Sequence, residues 1–356
     1  MDKRRIEAYT GSLSQIAGVK DYRLNTGKAY DVRCLDVRNG TGLEFTVIAD
    51  RGFDIGQLSY KGTNISFLSK TGITAPQYFS ENGALGFLRS FYAGFLTTCG
   101  LTYFGRPCAD EGQSLGLHGQ ISNIPADNVN VKTEWENGLP VIRLEGKVRQ
   151  SCVFGENLLL KREIKCKYGE KKFYITDEIA NEGFRDEPFM ALYHINFGYP
   201  FLSKDTRICA PIKRLIPRDE EAAKGKNCYD TMSEPANGFK EQVFYCKLHG
   251  DAQGDTSVLV SNSGLKLAVL LRFNIDQLNW VAIWKSMAEG DYALGIEPCN
   301  SHGRGRAAAK EDGILHYIKA GETKQHEICV EILDIPEEIE LFENSLTEIA
   351  EQKISD

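Results

Sequence analysis

The stretch "NLLLKREIKCKYGEKKFYITDEIAN", Asn157 to Asn181, constrains the fold of this chain more than any other. Leu, Ile, Phe and Tyr alternate in it against Lys, Arg and Asp. That is the period of an extended strand whose two faces meet different surroundings. The "GE" dipeptide near its middle supplies a turn, so the spacing predicts a long antiparallel hairpin.

The same signature recurs. "VIRLEGKVRQ", "SVLVSN", "LKLAVLLRF", "NWVAIWKSM" and "HEICVEILD" read as further strands, and "NEG", "ENG", "NSG", "EGD" and "AGE" supply turns. One segment reads clearly as a helix, "PEEIELFENSLTEIAEQ" near the C-terminus. It has Pro in its first turn, early acids, and Ile339, Phe342, Leu346 and Ile349 on one face. There is no βαβ rhythm, fixed-period repeat or low-complexity tract. The expected fold is mostly β, a large antiparallel β-sandwich with few short helices. One domain is expected over 1–356: an N-terminal segment 1–30, the sandwich 31–334 and a helical tail 335–356.

At 356 residues the chain is long for one domain, but β-sandwiches often run long as single units. With 42% apolar and 26% charged residues, it can form a sizeable core without disulfide or metal staples. A net charge of −7 argues against a nucleic-acid surface, where a basic face is expected. Ten cysteines are scattered without a C-x-x-C pair, unlike a disulfide scaffold. The opening "MDKRRIEAYTGSLSQIAG" lacks the apolar run of a signal peptide, and no apolar run reaches membrane-spanning length. These features predict a reduced, cytoplasmic protein with buried thiols and no membrane or nucleic-acid partner. A homodimer is left open.

Familiar motifs lack their contexts. "GQSLG", Gly112 to Gly116, matches the pattern that presents a nucleophilic serine. Ser114, however, has neither a strand before it nor a helix after it. "GRGRAA" from Gly303 matches a dinucleotide fingerprint but has no βαβ unit around it. There is no phosphate-binding P-loop, and no H-x-H or H-x-x-x-H pair to suggest a metal site. No cofactor and no metal are expected.

Three titratable residues stand out. Glu297 lies in "ALGIEPCNSHGRG", after an apolar run and pinned by Pro298. His194 lies in "FMALYHINFGYPF", with apolar residues on both sides. His118 lies in "SLGLHGQISNIPA", beside a glycine. All three sit at ends of apolar strands beside Gly or Pro, where a rigid sheet can hold a site. His316, His326 and His249 read as solvated or edge residues. A carboxyl partly withdrawn from water has a raised pKa and can take a proton from a hydroxyl. An imidazole kept cationic beside it can deliver one to another oxygen. Such a pair facing a small polyol can open a hemiacetal ring and close it in the other anomeric form.

Taken together, "ADRGFDIGQLSYKG", "LGLHGQISNIPA", "LYHINFGYPFL" and "ALGIEPCNSHGRG" resemble the aldose 1-epimerase (galactose mutarotase-like) superfamily. The likeness is greater to a bacterial branch once grouped as a domain of unknown function, and it spans roughly Asp31 to Asp334. It implies a galactose mutarotase-like sandwich and a carbohydrate ligand. It also implies His194 as general acid, Glu297 as general base and His118 as a substrate ligand. Two motifs depart from the family: "LHGQ" stands for "LHGG", and Asn196 replaces an aromatic two residues after the second histidine. The resemblance further implies a sugar-binding arginine, for which Arg89 and Arg51 compete, and a sugar-binding aspartate, matched by Asp230. Trp280 and Trp284 read equally as core residues or as a stacking face for a pyranose. Lys285, Asn300, His302 and Arg304 flank the proposed base as candidate hydroxyl ligands. The expected activity is anomer interconversion of an aldose or derivative. A related epimerase acting at another carbon and a non-catalytic carbohydrate-binding protein are the alternatives.

Overall fold

The structure, a computed structural model, describes residues 3–352. The last four residues of the expected helical tail, and the first two of the N-terminal segment, lie outside the described residues. The predicted hairpin is present: Asn157–Lys167 pairs antiparallel with Lys172–Asn181, matching Leu160 with Ile179 and Ile164 with Ile175. It sits within an eight-stranded sheet that also contains Leu139–Ser151, Thr323–Leu333, Leu267–Asn274 and Asp255–Asn262.

A seven-stranded sheet is built on Glu187–Phe197, flanked by Asp291–Cys299 and by Leu96–Leu101. Beyond Asp291–Cys299 come Trp280–Ala288, Gln242–Leu248 and Ile212–Pro217, in that order. Both faces of this sheet are covered. Tyr193, Ile195, Ile283, Leu294 and Ile296 join one core with Leu160, Ile164 and Ile175 of the larger sheet. The alternate residues Met190, Leu192, Ala282 and Cys299 join a second cluster with Phe87, Phe91 and Phe104. Burial on both sides is why "FMALYHINF" reads as a continuous apolar run. The fold is mostly β and antiparallel, as predicted.

Other features refine the expectation. Gly18–Arg23, in the expected N-terminal segment, is the edge strand of a five-stranded sheet and pairs with Arg33–Arg38. The helix Pro336–Gln352 buries Ile339 and Leu346 against Leu259, Leu270 and Leu333, whereas Ile349 stays exposed at its end. His326 is not a solvated residue but is buried, with Nδ1 3.2 Å from the Tyr193 hydroxyl. That hydroxyl donates to Asp177, which also pairs with the fully buried Arg162. Six of the ten cysteines are buried, while Cys152 and Cys228 are exposed. Among the described residues no helix is long and apolar enough to cross a membrane.

Candidate active site

Strand register brings His194 and Glu297 together. Glu187–Phe197 and Asp291–Cys299 are antiparallel neighbours, with Leu192 opposite Cys299 and Ile195 opposite Ile296. This register sets His194 across from Glu297, on the face away from the main core. Cross-strand neighbours on one face are close enough for side chains to meet. His194 Nε2 lies 3.3 Å from Glu297 Oε1. On the other side of Glu297 the strand offers Ala282, and two residues along is Gly295, so small residues leave the carboxyl room. Pro298 contributes no N–H to the ladder at this end of the strand.

His118 arrives from the opposite side on a tight loop. Its own φ is +60°, in the left-handed region, and Gly119 follows at +77°. An added Cβ at Gly119 would stand 2.3 Å from the Gly100 carbonyl oxygen, so only glycine lets the loop close against that strand. The His118 N–H donates to the Gly105 carbonyl, and the His118 carbonyl accepts from Gly100 N–H, each at 3.1 Å. The His118 and His194 ring centroids are 5.6 Å apart. Phe91 and Trp284 pack on His194 at 5.1 and 5.4 Å, and Phe87 packs on His118 at 4.9 Å.

These side chains line one pocket of about 340 Å³, within the range for small-molecule sites. Its roof includes Ala84, Phe87 and Leu88 of the helix Gly83–Leu88. Three polar atoms in it, His118 Nδ1, His194 Nδ1 and Glu297 Oε1, are shielded from solvent and lack a hydrogen-bond partner. Buried polar groups are normally satisfied, so orphans gathered in a cavity are poised for a ligand.

Protonation follows from burial. Loss of water raises Glu297 to about 8, reinforced by the negative charge of Glu241 and opposed by Arg218. Burial lowers His118 to about 4. Burial, then the neighbouring His118, pushes His194 well below the ordinary imidazole value. The sequence led to an imidazole kept cationic beside the carboxyl; burial acts the other way, favouring the neutral ring. The 3.3 Å contact thus sets against each other two groups whose uncharged forms burial favours.

The model of the family described as "Domain of unknown function (DUF4432)" matches residues 29–332. The chain belongs to that family. No curated protein sequence matches it. Its fold is that of galactose mutarotase-like proteins. A candidate aldose 1-epimerase from Klebsiella pneumoniae superposes with a TM-score of 0.90 at 23% identity, covering 98% of this chain and 91% of that one. A galactose mutarotase-like protein from Clostridium acetobutylicum gives 0.63 at 15% identity, over 90% of this chain and 100% of that one. A galactose 1-epimerase from Lactobacillus acidophilus gives 0.57 at 11% identity, over 89% and 99%. At these identities the likeness establishes the fold.

Within this DUF4432 chain, Trp284 lines the pocket with the two histidines and Glu297, and several other candidates do not. Arg51 is fully buried elsewhere. Its guanidinium donates to the carbonyls of Ser122, Thr74 and Ser90 and to Asn123 Oδ1, a set of bonds that ties loops together. Arg89 is exposed at the C-terminal end of the roof helix, beside the pocket rather than lining it. Lys285 Nζ donates to the Cys228 and Thr231 carbonyls, and Asp230 pairs with Arg207. Asn300 clamps the His194 strand, accepting from Ala191 N–H and donating to the Phe189 carbonyl. His302 Nε2 lies 2.8 Å from Asp312 Oδ2, and its ring packs against Tyr245 and Trp280. Arg304 pairs with the same Asp312, and Trp280 lies under Lys247. Ser114 is exposed on a short hairpin strand, Gln113–Leu115, away from the pocket.

Sequence reasoning missed Arg106, Arg218, Glu241 and Tyr245, which line the pocket. Glu241 Oε1 accepts from Arg218 Nη1 at 2.8 Å and its Oε2 from Trp284 Nε1 at 2.9 Å. Arg218 also donates from Nε to Asp219, at 2.7 Å. The available signal was position: Glu241 stands just before a strand and Arg218 just after one, at the same sheet end. Two glycines let the loops of Arg106 and "SHGRG" close on each other: a Cβ on Gly105 would stand 2.4 Å from the Gly303 carbonyl oxygen, which accepts from Arg106 N–H at 3.1 Å, and one on Gly305 would stand 2.8 Å from the Arg106 carbonyl oxygen.

Proposed function

We propose that the protein interconverts the anomers of an aldose or aldose derivative by general acid–base opening and reclosure of its ring. The observation that carries this reading is the convergence of His118, His194 and Glu297, with three unpartnered polar atoms, in one pocket. A binding protein has no need of a matched acid and base 3.3 Å apart.

The pair holds one proton. Burial favours that proton on Glu297, and sugar hydroxyls that donate to the carboxyl favour its ionised form. The proton then moves to His194 Nε2. Glu297 accepts the proton of the anomeric hydroxyl while His194 protonates the ring oxygen. The ring C–O bond breaks and a C1 carbonyl forms. Rotation about C1–C2 and reversal of both transfers gives the other anomer, with the pair restored. His118 binds the substrate beside the ring oxygen. In this reading Glu241, rather than Asp230, receives sugar hydroxyls, and Arg218 and Arg106 take the place proposed for Arg89. Trp284 supplies an aromatic surface for the C–H face of a pyranose. The reading places this turnover in the cytoplasm, where free thiols remain reduced.

Polarimetry on a panel of freshly dissolved aldoses tests the proposal. Enzyme-dependent acceleration for at least one sugar is expected. Binding by calorimetry without acceleration of any sugar would leave a carbohydrate-binding protein instead.

A further inference from the structure

Tyr245 lines the pocket but has no part in the acid–base pair. The sheet sets it in line with that pair. Tyr245 pairs with Ala282, and Ala282 with Glu297, which faces His194 on the next strand. Directly paired residues point to the same face, so His194, Glu297, Ala282 and Tyr245 form one row across four strands. Two strand spacings, about 10 Å, separate the backbones at Glu297 and Tyr245. Between them stands only the methyl group of Ala282, itself part of the pocket wall.

The phenol ring is held and its tip is free. Tyr245 is 5% exposed, and its ring centroid lies 6.0 Å from that of His302. The Gly303 backbone stands against it: a Cβ there would lie 3.2 Å from Cε1 and 3.4 Å from the hydroxyl. Among the described residues no hydrogen bond engages that hydroxyl. The charges around it are already paired, since Arg218 bonds Asp219 and Glu241, and Arg106 pairs with Asp219. Burial, opposed by Arg218 and Arg106, pushes the phenol up to about 12, so it stays neutral and can both donate and accept. An open polar atom on a buried ring at the wall of a cavity is fitted for a ligand.

In a pyranose the ring oxygen, the C1 hydroxyl and the C2 hydroxyl follow one another around the ring. The proposed function, on which this inference rests, puts His194 at the ring oxygen and Glu297 at the C1 hydroxyl. The next polar side chain along the same row is Tyr245. We propose that the Tyr245 hydroxyl binds the C2 hydroxyl of the sugar, which makes it a specificity-determining residue for aldoses that carry oxygen on that carbon.

The test compares the unaltered full-length protein with Tyr245→Phe on the aldoses of the polarimetric panel and on their 2-deoxy counterparts, D-glucose and D-galactose first. The variant keeps the ring beside His302 and removes only the oxygen, and circular dichroism checks its fold. On a responsive aldose it should raise KM about 3- to 10-fold at nearly constant kcat, the scale of one neutral hydrogen bond lost from uniform binding. With the unaltered protein the 2-deoxy sugar should show a KM raised by a similar factor, and Tyr245→Phe should raise it no further. An unchanged KM for the parent aldose in Tyr245→Phe overturns the proposal. So does an equal rise for the parent and the 2-deoxy sugar, because the phenol then serves another part of the ligand. If the unaltered protein anomerises no aldose, the proposed function fails and the role of Tyr245 falls with it.

Discussion

A Cβ placed on Gly295 would stand 2.6 Å from Glu297 Oε1. The two residues share one face of one strand, so the missing side chain at 295 is the space in which the carboxyl sits. The atom that would be hit is the far end of a side chain, not backbone, and it can yield by turning away. Gly295→Ala should therefore fold with near-normal stability and lose turnover by about 100-fold, because displacing a catalytic group by an ångström costs on that order. Circular dichroism with anomerisation kinetics checks it. Full activity in the variant would mean that the carboxyl does not work from this position.

Activity should depend on the one-proton pair. His118 titrates near 4, His194 lies well below its ordinary value, and Glu297 holds its proton up to about 8. Between these limits the pair keeps its single proton, so kcat/KM should be level from about pH 6 to 7.5. Above about 8 the free enzyme loses that proton, and kcat/KM should fall. A rate that instead rises through pH 8 would show that Glu297 must be ionised before sugar binds.

The same proton affects stability. Burial raises Glu297 from the ordinary glutamate range to about 8, so the folded chain binds this proton more tightly than the unfolded one. The stabilisation is complete below the ordinary glutamate value and is lost as pH climbs through about 8. Glu297→Gln is neutral at every pH. Its melting temperature should approach or exceed that of the unaltered protein as pH rises from 5 to 9, a gain on the order of a few kcal/mol at most. Parallel melting curves across that range would show that the carboxyl is not protonated in the fold.

Glu241 and Arg218 tune the site with opposite signs. Glu241 raises the Glu297 pKa and Arg218 lowers it. Glu241→Gln should shift the alkaline limb of the kcat/KM profile to lower pH and raise KM, since one of the two donors, Trp284 Nε1 or Arg218 Nη1, loses its acceptor oxygen. Arg218→Met should shift that limb upward. Shifts in the same direction would contradict the electrostatic account.

The sequence carried the architecture because alternation is a local property: each residue of Asn157–Asn181 reports which face it occupies. His118, His194 and Glu297 were legible for a related reason, being polar residues set in apolar runs where a core residue would otherwise stand. Arg51 misled because a buried arginine bonded to carbonyls and an arginine facing a ligand look alike in one dimension. Lys285 and Asn300 misled in the same way. They neighbour the base in space or sequence, but their polar atoms serve backbone carbonyls and amides. Glu241 and Arg218 went unseen because they sit in polar surroundings, where a charge carries no contrast. The lowered basicity of His194 was also out of reach, since its burial depends on Phe91 and Trp284, distant in the chain.

The central claim is that His194 and Glu297 together move the protons of a sugar ring. The direct measurement is two-dimensional exchange NMR between the α and β anomers of a responsive aldose, with the unaltered protein, His194→Ala and Glu297→Gln compared at pH 7. The account predicts strong exchange cross-peaks with the unaltered protein, a loss of about 10²–10⁴-fold in His194→Ala, and none above the uncatalysed rate in Glu297→Gln. Exchange at the original rate in either variant would contradict it.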